Sequence, residues 1–202
     1  MRRNALAPLL VVAALAAPLA SAAVSSATTV SYGQAFSITG TAKATQGSPH
    51  VTVYGRPCGF NAFTLVAKPN LAADGRFAYK LAPTLNTEFR VFVNDHPTAT
   101  VTVHVKPLIH VKHVRGATYR VEVTTGNGSG LAGHVVSLQR RSAPGHWKTM
   151  ASAKLAAASR DDQIDAVAAA TRAVRGSGQV RAVLSTSQAG PCFVGAASAP
   201  VS

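Results

Sequence analysis

Residues 88–105, EFRVFVNDHPTATVTVHV, decide the fold class of this chain. Apolar side chains stand at every second position on both sides of the turn residues Asn94, Asp95 and Pro97. Successive side chains of a β-strand point to opposite faces, so this alternation predicts two half-buried strands joined by a short turn. The predicted buried positions are Phe89, Val91, Val93, Val101, Val103 and Val105.

The same alternation precedes this stretch in four short segments, separated by Gly, Pro and Asn. These segments are AFSITG (35–40), HVTVYG (50–55), AFTLVA (62–67) and RFAYKL (76–81). The residues assigned to the inner face are Phe36, Ile38, Val51, Val53, Phe63, Leu65, Phe77, Tyr79 and Leu81. Six or seven short strands at this spacing predict an antiparallel β-sandwich.

The pattern restarts after Pro107, with alternating apolar residues from Ile109 to Val123. A shift of 84 positions aligns residues 50–73 with 134–157, and a shift of 91 aligns 88–91 with 179–182. The matched pairs include His50 with His134, Val51 with Val135, Arg56 with Arg140, Phe63 with Trp147, Glu88 with Gln179, and Arg90 with Arg181. A repeat of this period predicts two copies of one small domain, at residues 23–107 and 108–202.

The first residues predict export. Two arginines, an apolar run from Ala5 to Ala20 and small residues at the end form a signal peptide, residues 1–22, cleaved after Ala22 or Ala23. A membrane anchor is the alternative, but the run holds two prolines and is short for a span of about 20 residues. We expect a secreted, extracellular chain with no transmembrane segment after cleavage.

The net charge of the chain restricts the classes of partner that it can attract. Twenty Lys and Arg against seven Asp and Glu leave a formal net charge of +13, while 47% of the residues are hydrophobic. Such a surplus favours attraction to an anionic cell-wall polymer or membrane surface, without specific nucleic-acid recognition. The alternative is a solvated basic surface that keeps the protein soluble, because no run of five like charges occurs.

Residues 159–176 allow two interpretations. Ser159 as a cap, Asp161 and Asp162 in the first turn and Gly176 as the stop would suit a helix. The repeat instead predicts a strand after a longer connection, because the equivalent of RFAYKL falls here. We favour the strand.

Candidate sites for chemistry are few. His104, His110 and His113 stand close in sequence, but the parity of His104 and His110 assigns them to outer strand faces, and Lys106 and Lys112 between them would repel a cation. Calcium binding by Asp161, Asp162 and Asp165 would lack a regular oxygen spacing. Trp147 could stack on a sugar, although its place in the repeat predicts a core residue. Asn127 fits a glycosylation sequon.

Six segments carry a resemblance to a known family: ITGTA (38–42), VTVYGR (51–56), FTLVAKPNLAADGRFAYKL (63–81), NTEFRVFV (86–93), HWKTMASAKL (146–155) and QVRAVLS (179–185). Their order resembles the tandem immunoglobulin-like domains of exported actinobacterial proteins of unassigned function. The second copy departs by having Arg160-Asp161-Asp162 where the first has the Asp74-Gly75 turn. The resemblance implies two tandem seven-stranded β-sandwiches in an extracellular accessory role, without catalytic residues.

The resemblance also bears on the two cysteines. In that topology Cys58 lies at the pole where the chain leaves the first sandwich, and Cys192 at the pole where it enters the second. It therefore implies a structural disulfide between the domains. A disulfide to another chain and two unpaired thiols remain as alternatives.

Function is predicted only as a class. The chain contains no GxSxG, HExxH, phosphate-loop or paired-carboxylate catalytic motif, so we expect neither catalytic activity nor a cofactor. The leading hypothesis is a non-catalytic exported binding or structural protein, associated with the cell envelope through its basic surface. The alternative is a secreted effector or inhibitor that binds another extracellular protein through an exposed loop. No pattern identifies the ligand-binding residues.

Overall fold

The computed structural model describes residues 28–42, 49–126, 130–158 and 166–202, so the predicted signal peptide lies outside the described residues. Within these ranges the protein is all-β, with a single short helix. No helix in the described part is long and apolar enough to cross a membrane. The elements are β1 (Thr28–Ser31), β2 (Phe36–Thr41), β3 (Val51–Pro57), β4 (Thr64–Ala67), β5 (Arg76–Leu81), β6 (Thr87–Val93), β7 (His96–Lys106), β8 (Leu108–Arg115), β9 (Thr118–Thr125), β10 (Val135–Ala143), β11 (His146–Lys154), β12 (Ala156–Ala158), β13 (Ala166–Ala173), β14 (Val180–Leu184), α1 (Thr186–Ala189) and β15 (Ala196–Ala197).

Four sheets contain these strands, and each draws on only one side of Pro107. Strands β1–β7, here called the N-terminal half, form a five-stranded sheet, β1-β7-β6-β3-β4, and a two-stranded sheet, β2-β5. Strands β8–β15, the C-terminal half, form the sheets β11-β10-β14-β15 and β12-β13-β9-β8. Neighbouring strands are antiparallel except for β1 and β7. The order β4-β3-β6-β7 thus recurs as β11-β10-β14-β15.

The hairpin quoted first confirms its prediction. Strands β6 and β7 pair antiparallel, and all six predicted inner positions are buried. Asn94 and Asp95 take φ angles of 50° and 63° between the strands. Two consecutive residues in the left-handed region match the twist of a two-stranded ribbon, and Asn and Asp tolerate that region better than most residues.

Two inner-face predictions are wrong, at Phe63 and Leu65. Phe63 contacts Arg56 and Arg90 on the outer sheet face, Leu65 is 53% exposed, and Val66 packs against the core instead. Phe63 and Leu65 share a face, as their parity requires, but it is the outer face. The register shift between Val53 and Tyr54 makes Val66 an extra residue in β4, and this residue turns to the core.

The repeat alignment is also wrong by one residue in β10. It matched Val51 with Val135, yet Val135 is 37% exposed, and Val136 is fully buried in the position equivalent to Val51. The slip arises in the hairpin: Gly55 pairs with Thr64, whereas its equivalent Arg140 pairs with Lys148, so the connection between β10 and β11 is one residue shorter than that between β3 and β4. The irregular pairing is common to both halves and places one extra residue in the outer strand, Val66 in β4 and Met150 in β11. Strand β11 keeps the predicted shift of 84, with Ala151 opposite Leu138 as Ala67 is opposite Val53.

The structure decides between helix and strand for part of residues 159–176. Residues 159–165 lie outside the described residues, whereas Ala166–Ala173 form β13, paired with β9 along its whole length. The strand interpretation is confirmed for these residues and the helical one is wrong. Pairing on both sides, with β9 and β12, overrides the poor strand propensity of alanine.

The two halves pack closely. Buried apolar side chains from both halves form one continuous cluster, and the only residue between β7 and β8 is the buried Pro107. The chain therefore passes between the halves without a flexible linker.

Candidate functional site

A disulfide joins the two halves. Cys58 lies in the turn after β3, and Cys192 lies between α1 and β15. Their sulfurs are 2.02 Å apart and their Cα atoms 5.2 Å apart, across a sequence separation of 134. This confirms that the two cysteines pair within one chain. The alternatives of a second chain and of free thiols are wrong for this structure.

Asn86, just before β6, organises the surroundings of the disulfide. The Cys58 N–H donates to the Asn86 carbonyl at 2.8 Å, and the Asn86 N–H donates to the Cys192 carbonyl at 2.9 Å. The Asn86 side chain donates from Nδ2 to the Pro191 carbonyl at 3.1 Å and accepts from the Val105 N–H at 2.7 Å. Asn86 therefore connects both cysteine-bearing turns with the end of β7. Its sequence context carried no signal of this role.

Gly126 marks a second close approach of the halves. A Cβ atom at this position would lie 2.7 Å from Thr84 Cβ and 3.0 Å from Tyr32 Cε2. Real Cβ atoms do not approach other atoms this closely, so the backbone after β9 requires a residue without a side chain here.

The outer face of the larger N-terminal sheet carries what we call the N-terminal arginine cluster: Arg56, Phe63, Glu88 and Arg90. Both guanidinium groups lie over the Phe63 ring, with Cζ 4.7 Å (Arg56) and 4.0 Å (Arg90) from its centroid. Glu88 accepts from Arg56 at 2.5 Å through Oε2 and from Arg90 at 3.3 Å through Oε1. Each carboxylate oxygen therefore takes one arginine.

These contacts fix the charge of Glu88. The hydrogen bond from Arg56, with the positive charges of Arg56 and Arg90 behind it, holds the pKa of the Glu88 carboxyl below its ordinary value. The carboxylate is therefore ionised at neutral pH and compensates part of the charge of its two arginines.

The corresponding face of the C-terminal half carries the C-terminal arginine cluster: Gln139, Arg141, Trp147, Gln179 and Arg181. The Arg181 guanidinium lies 4.2 Å from the centroid of the Trp147 ring, and its Nε donates to Gln139 Oε1 at 2.9 Å. Arg141 donates from Nη1 to Gln179 Oε1 at 3.1 Å. Gln139 and Arg181 are direct cross-strand partners, as are Arg141 and Trp147, which makes the group contiguous.

Trp147 is not the core residue that the repeat predicted. It is half-buried on the outer sheet face, as is its equivalent Phe63. The reason is the same in both halves: the aromatic ring supports an arginine from the neighbouring part of the sheet, and such a contact is favourable at a partly exposed site. The alignment correctly matched Phe63 with Trp147 and Arg90 with Arg181. It wrongly matched Arg56 with Arg140, because the arginine that bonds Gln179 as Arg56 bonds Glu88 is Arg141.

The candidate histidines lie in three separate settings. His110 is exposed in a shallow groove with Lys112, Arg120 and Glu122, and His113 Nε2 lies 2.6 Å from the Gly116 carbonyl. His104 is half-buried, and its Nδ1 is buried without a hydrogen-bond partner among the described residues.

The described residues contain no metal-binding geometry. Among the described residues no three His, Cys, Asp or Glu side chains are grouped to hold a metal ion. Asp161, Asp162, Asp165 and the sequon residue Asn127 lie outside the described residues.

Surface grooves add little chemistry. A groove of about 550 Å³ over β2 and β5 is lined by Thr39, Thr41, Asn70 and Arg76, among others. Arg76 is its only ionisable lining residue, and it already pairs with Asp74 at 2.5 Å. The groove thus presents a mainly apolar surface with one compensated charge.

Fold and site define the molecule as an all-β protein whose two sets of sheets are joined by one disulfide. No protein-family model matches the chain. A search of curated proteins likewise finds no significant relative. Any assignment of function therefore depends on the sequence and structure of this chain.

Proposed function

We propose that this is an exported, non-catalytic protein of two tandem immunoglobulin-like domains, residues 23–107 and 108–202, that binds an anionic polymer of the cell envelope. The recurring strand order of the larger sheets supports two copies of one fold, as do the matched arginine–aromatic contacts. Antiparallel sheets packed face to face in this order are the architecture of immunoglobulin-like sandwiches. Export is supported by the signal-peptide pattern of residues 1–22 and by the disulfide, which persists in oxidising compartments.

The distribution of charge carries the binding proposal. The described residues contain sixteen Lys and Arg but only four Asp and Glu. Each of these four carboxylates already lies within 3.1 Å of a basic side chain. No side-chain carboxylate among the described residues is left to compensate a further Lys or Arg. Most of the positive charge therefore faces solvent, where it attracts polyanions.

Binding to immobilised polymers tests this function. The chain from residue 23, with its disulfide intact, is passed over beads bearing polygalacturonate, teichoic-acid-like polyglycerol phosphate, or neutral dextran. We expect retention on the anionic beads at 0.05 M salt and release by about 0.5 M, because screening weakens contacts between exposed charges. Equal retention on dextran, or none on either polyanion, would refute the proposal.

One observation favours a second candidate, a secreted effector that contacts a protein target through a loop. Phe60 is 63% exposed in the turn that the disulfide holds at Cys58. A rigidly held exposed aromatic residue is a common anchor of protein interfaces. This candidate predicts a partner that stays bound at 0.5 M salt and is lost with Phe60→Ala.

A further inference from the structure

The two arginine clusters share one geometry but differ in one residue. In each, an arginine covers an aromatic ring: Arg90 of β6 lies over Phe63, and Arg181 of β14 lies over Trp147. Glu88 stands two residues before Arg90, and Gln179 stands two residues before Arg181. The N-terminal cluster therefore contains its own carboxylate, and the C-terminal cluster has an amide in that place.

This exchange changes the electrostatics of the face. Arg141 and Arg181 are held by the amide oxygens of Gln179 and Gln139, which orient the guanidinium groups without neutralising them. A guanidinium group has five N–H donors, so each arginine keeps donors beyond the bond given to its glutamine. The face also lies open, since Arg141 is exposed and Arg181 and Trp147 are half-buried.

We propose that the C-terminal arginine cluster is a binding site for the carboxylate of a uronic-acid polysaccharide. The bound carboxylate bridges Arg141 and Arg181, as the Glu88 carboxylate bridges Arg56 and Arg90 in the N-terminal cluster. The inference rests on the proposed function and specifies the ligand class and the site.

The N-terminal cluster is the reason for choosing a carboxylate. In it, a planar carboxylate places one oxygen against each arginine, and planar guanidinium groups match that shape. A polymer suits an open sheet face better than a small molecule does, since repeated weak contacts along a chain add to one another.

The test exchanges the residues that distinguish the clusters, Glu88 and Gln179, and adds a charge-matched control. Gln179→Glu gives the C-terminal cluster its own carboxylate, and Gln34→Glu adds the same charge at an exposed position in the turn between β1 and β2. Dissociation constants are measured by calorimetry for polygalacturonate, its methyl ester and polyphosphate at 0.15 M salt, after thermal melts show that each variant is folded.

We expect Gln179→Glu to weaken polygalacturonate binding by about tenfold or more, because an internal carboxylate then occupies the site. Gln34→Glu should change it by less than about twofold, and Arg141→Gln should reproduce the loss. Glu88→Gln should bind at least as well as the unmodified protein, since it frees a second pair of arginines. The methyl ester, which lacks carboxylates, should not bind.

The outcomes distinguish failure of the proposed site from failure of the proposed function. Equal effects of Gln179→Glu and Gln34→Glu would mean that net charge alone governs binding, which overturns this site and leaves the proposed function standing. Polyphosphate binding that matches polygalacturonate and responds equally to Gln179→Glu would overturn the choice of a carboxylate. Failure of the unmodified protein to bind either polyanion would refute the proposed function itself.

Discussion

At the scale of single residues, Glu88 and Asn86 each connect several parts of the structure. Glu88 is the acceptor for two arginines on an open sheet face, and Asn86 uses both the oxygen and the nitrogen of its side-chain amide at the junction of the halves. Both act through hydrogen bonds whose partners come from distant parts of the sequence. Their contributions can be measured one at a time.

The ion pairs of Glu88 should make stability depend on pH in the acid range. The folded pKa of Glu88 is lowered from its ordinary value of 4.5, so its contribution is complete above that pH and is lost as pH falls through the folded pKa. Glu88→Gln should lower the free energy of unfolding by about 1 kcal/mol at pH 7. In urea titrations from pH 7 to pH 3 the difference from the unmodified protein should shrink below pH 4.5. A difference that grows on acidification would contradict the assignment.

Asn86→Ala should destabilise the junction even with the disulfide intact. It removes the acceptor for the Val105 N–H and the donor to the Pro191 carbonyl, and an unsatisfied buried amide costs about 1–3 kcal/mol. Asn86→Asp is the matched variant, because it keeps the acceptor for the buried Val105 N–H and replaces the donor by a carboxylate oxygen, which repels the Pro191 carbonyl at an exposed position. Non-reducing urea titrations should rank the variants with Asp between Asn and Ala. Equal stability of all three proteins would show that the network is dispensable.

At the scale of elements, the length of the β10–β11 hairpin distinguishes the two halves. Gly55 pairs with Thr64, whereas its equivalent Arg140 pairs with Lys148, so this hairpin is one residue shorter than that of β3 and β4. An ungapped alignment across the hairpin therefore places β10 one residue out of register, with Val135 instead of Val136 at the buried position. In the true register Arg141 lies beside Gln179 as Arg56 lies beside Glu88.

Two substitutions in β10 test this register. Leu138→Ala removes a fully buried side chain and should cost about 2–5 kcal/mol. Val135→Ala, three positions earlier, should cost less than about 0.5 kcal/mol, because this side chain is exposed. The free energy of unfolding from urea titration reports both. The reverse order of effects would restore the ungapped alignment of the repeat.

At the scale of the whole molecule, several connections join the halves: the single buried residue Pro107, the shared apolar cluster, the disulfide and hydrogen bonds across the junction. These hydrogen bonds include those of Asn86 and the bond from the Val194 N–H to the Val105 carbonyl at 3.0 Å. A chain with such connections should behave as one stiff body. That stiffness would keep the two arginine clusters in a constant relation along a polymer.

Removing the disulfide should therefore lower stability without separating the halves. The entropic model gives about 5 kcal/mol as an upper value for a cross-link over 134 residues, and the remaining contacts at the junction reduce the loss. For Cys58→Ser with Cys192→Ser we expect a loss of about 2–4 kcal/mol and faster hydrogen exchange at the Asn86 and Val194 amides. Unchanged exchange at those amides would mean that the disulfide does not hold the junction.

The sequence alone determined the fold class, most strand positions, the turn at Asn94-Asp95 and the equivalence of Phe63 with Trp147. These depend on alternation and turn chemistry, which are local properties of the chain. It did not determine the inner face of β4, the register of β10 or the surface position of Trp147, because the pairing partners of a strand and its arginine–aromatic contacts are set only between strands.

Tertiary structure alone decided what lies next to the cysteines and the arginines. Asn86 carries no motif, and its partners are 19 and 105 residues away along the chain. The difference between Glu88 and Gln179 is visible in the sequence as an ordinary substitution. It acquires meaning only when the sheet brings two arginines to each position, since charge compensation depends on distance in space and not on separation along the chain.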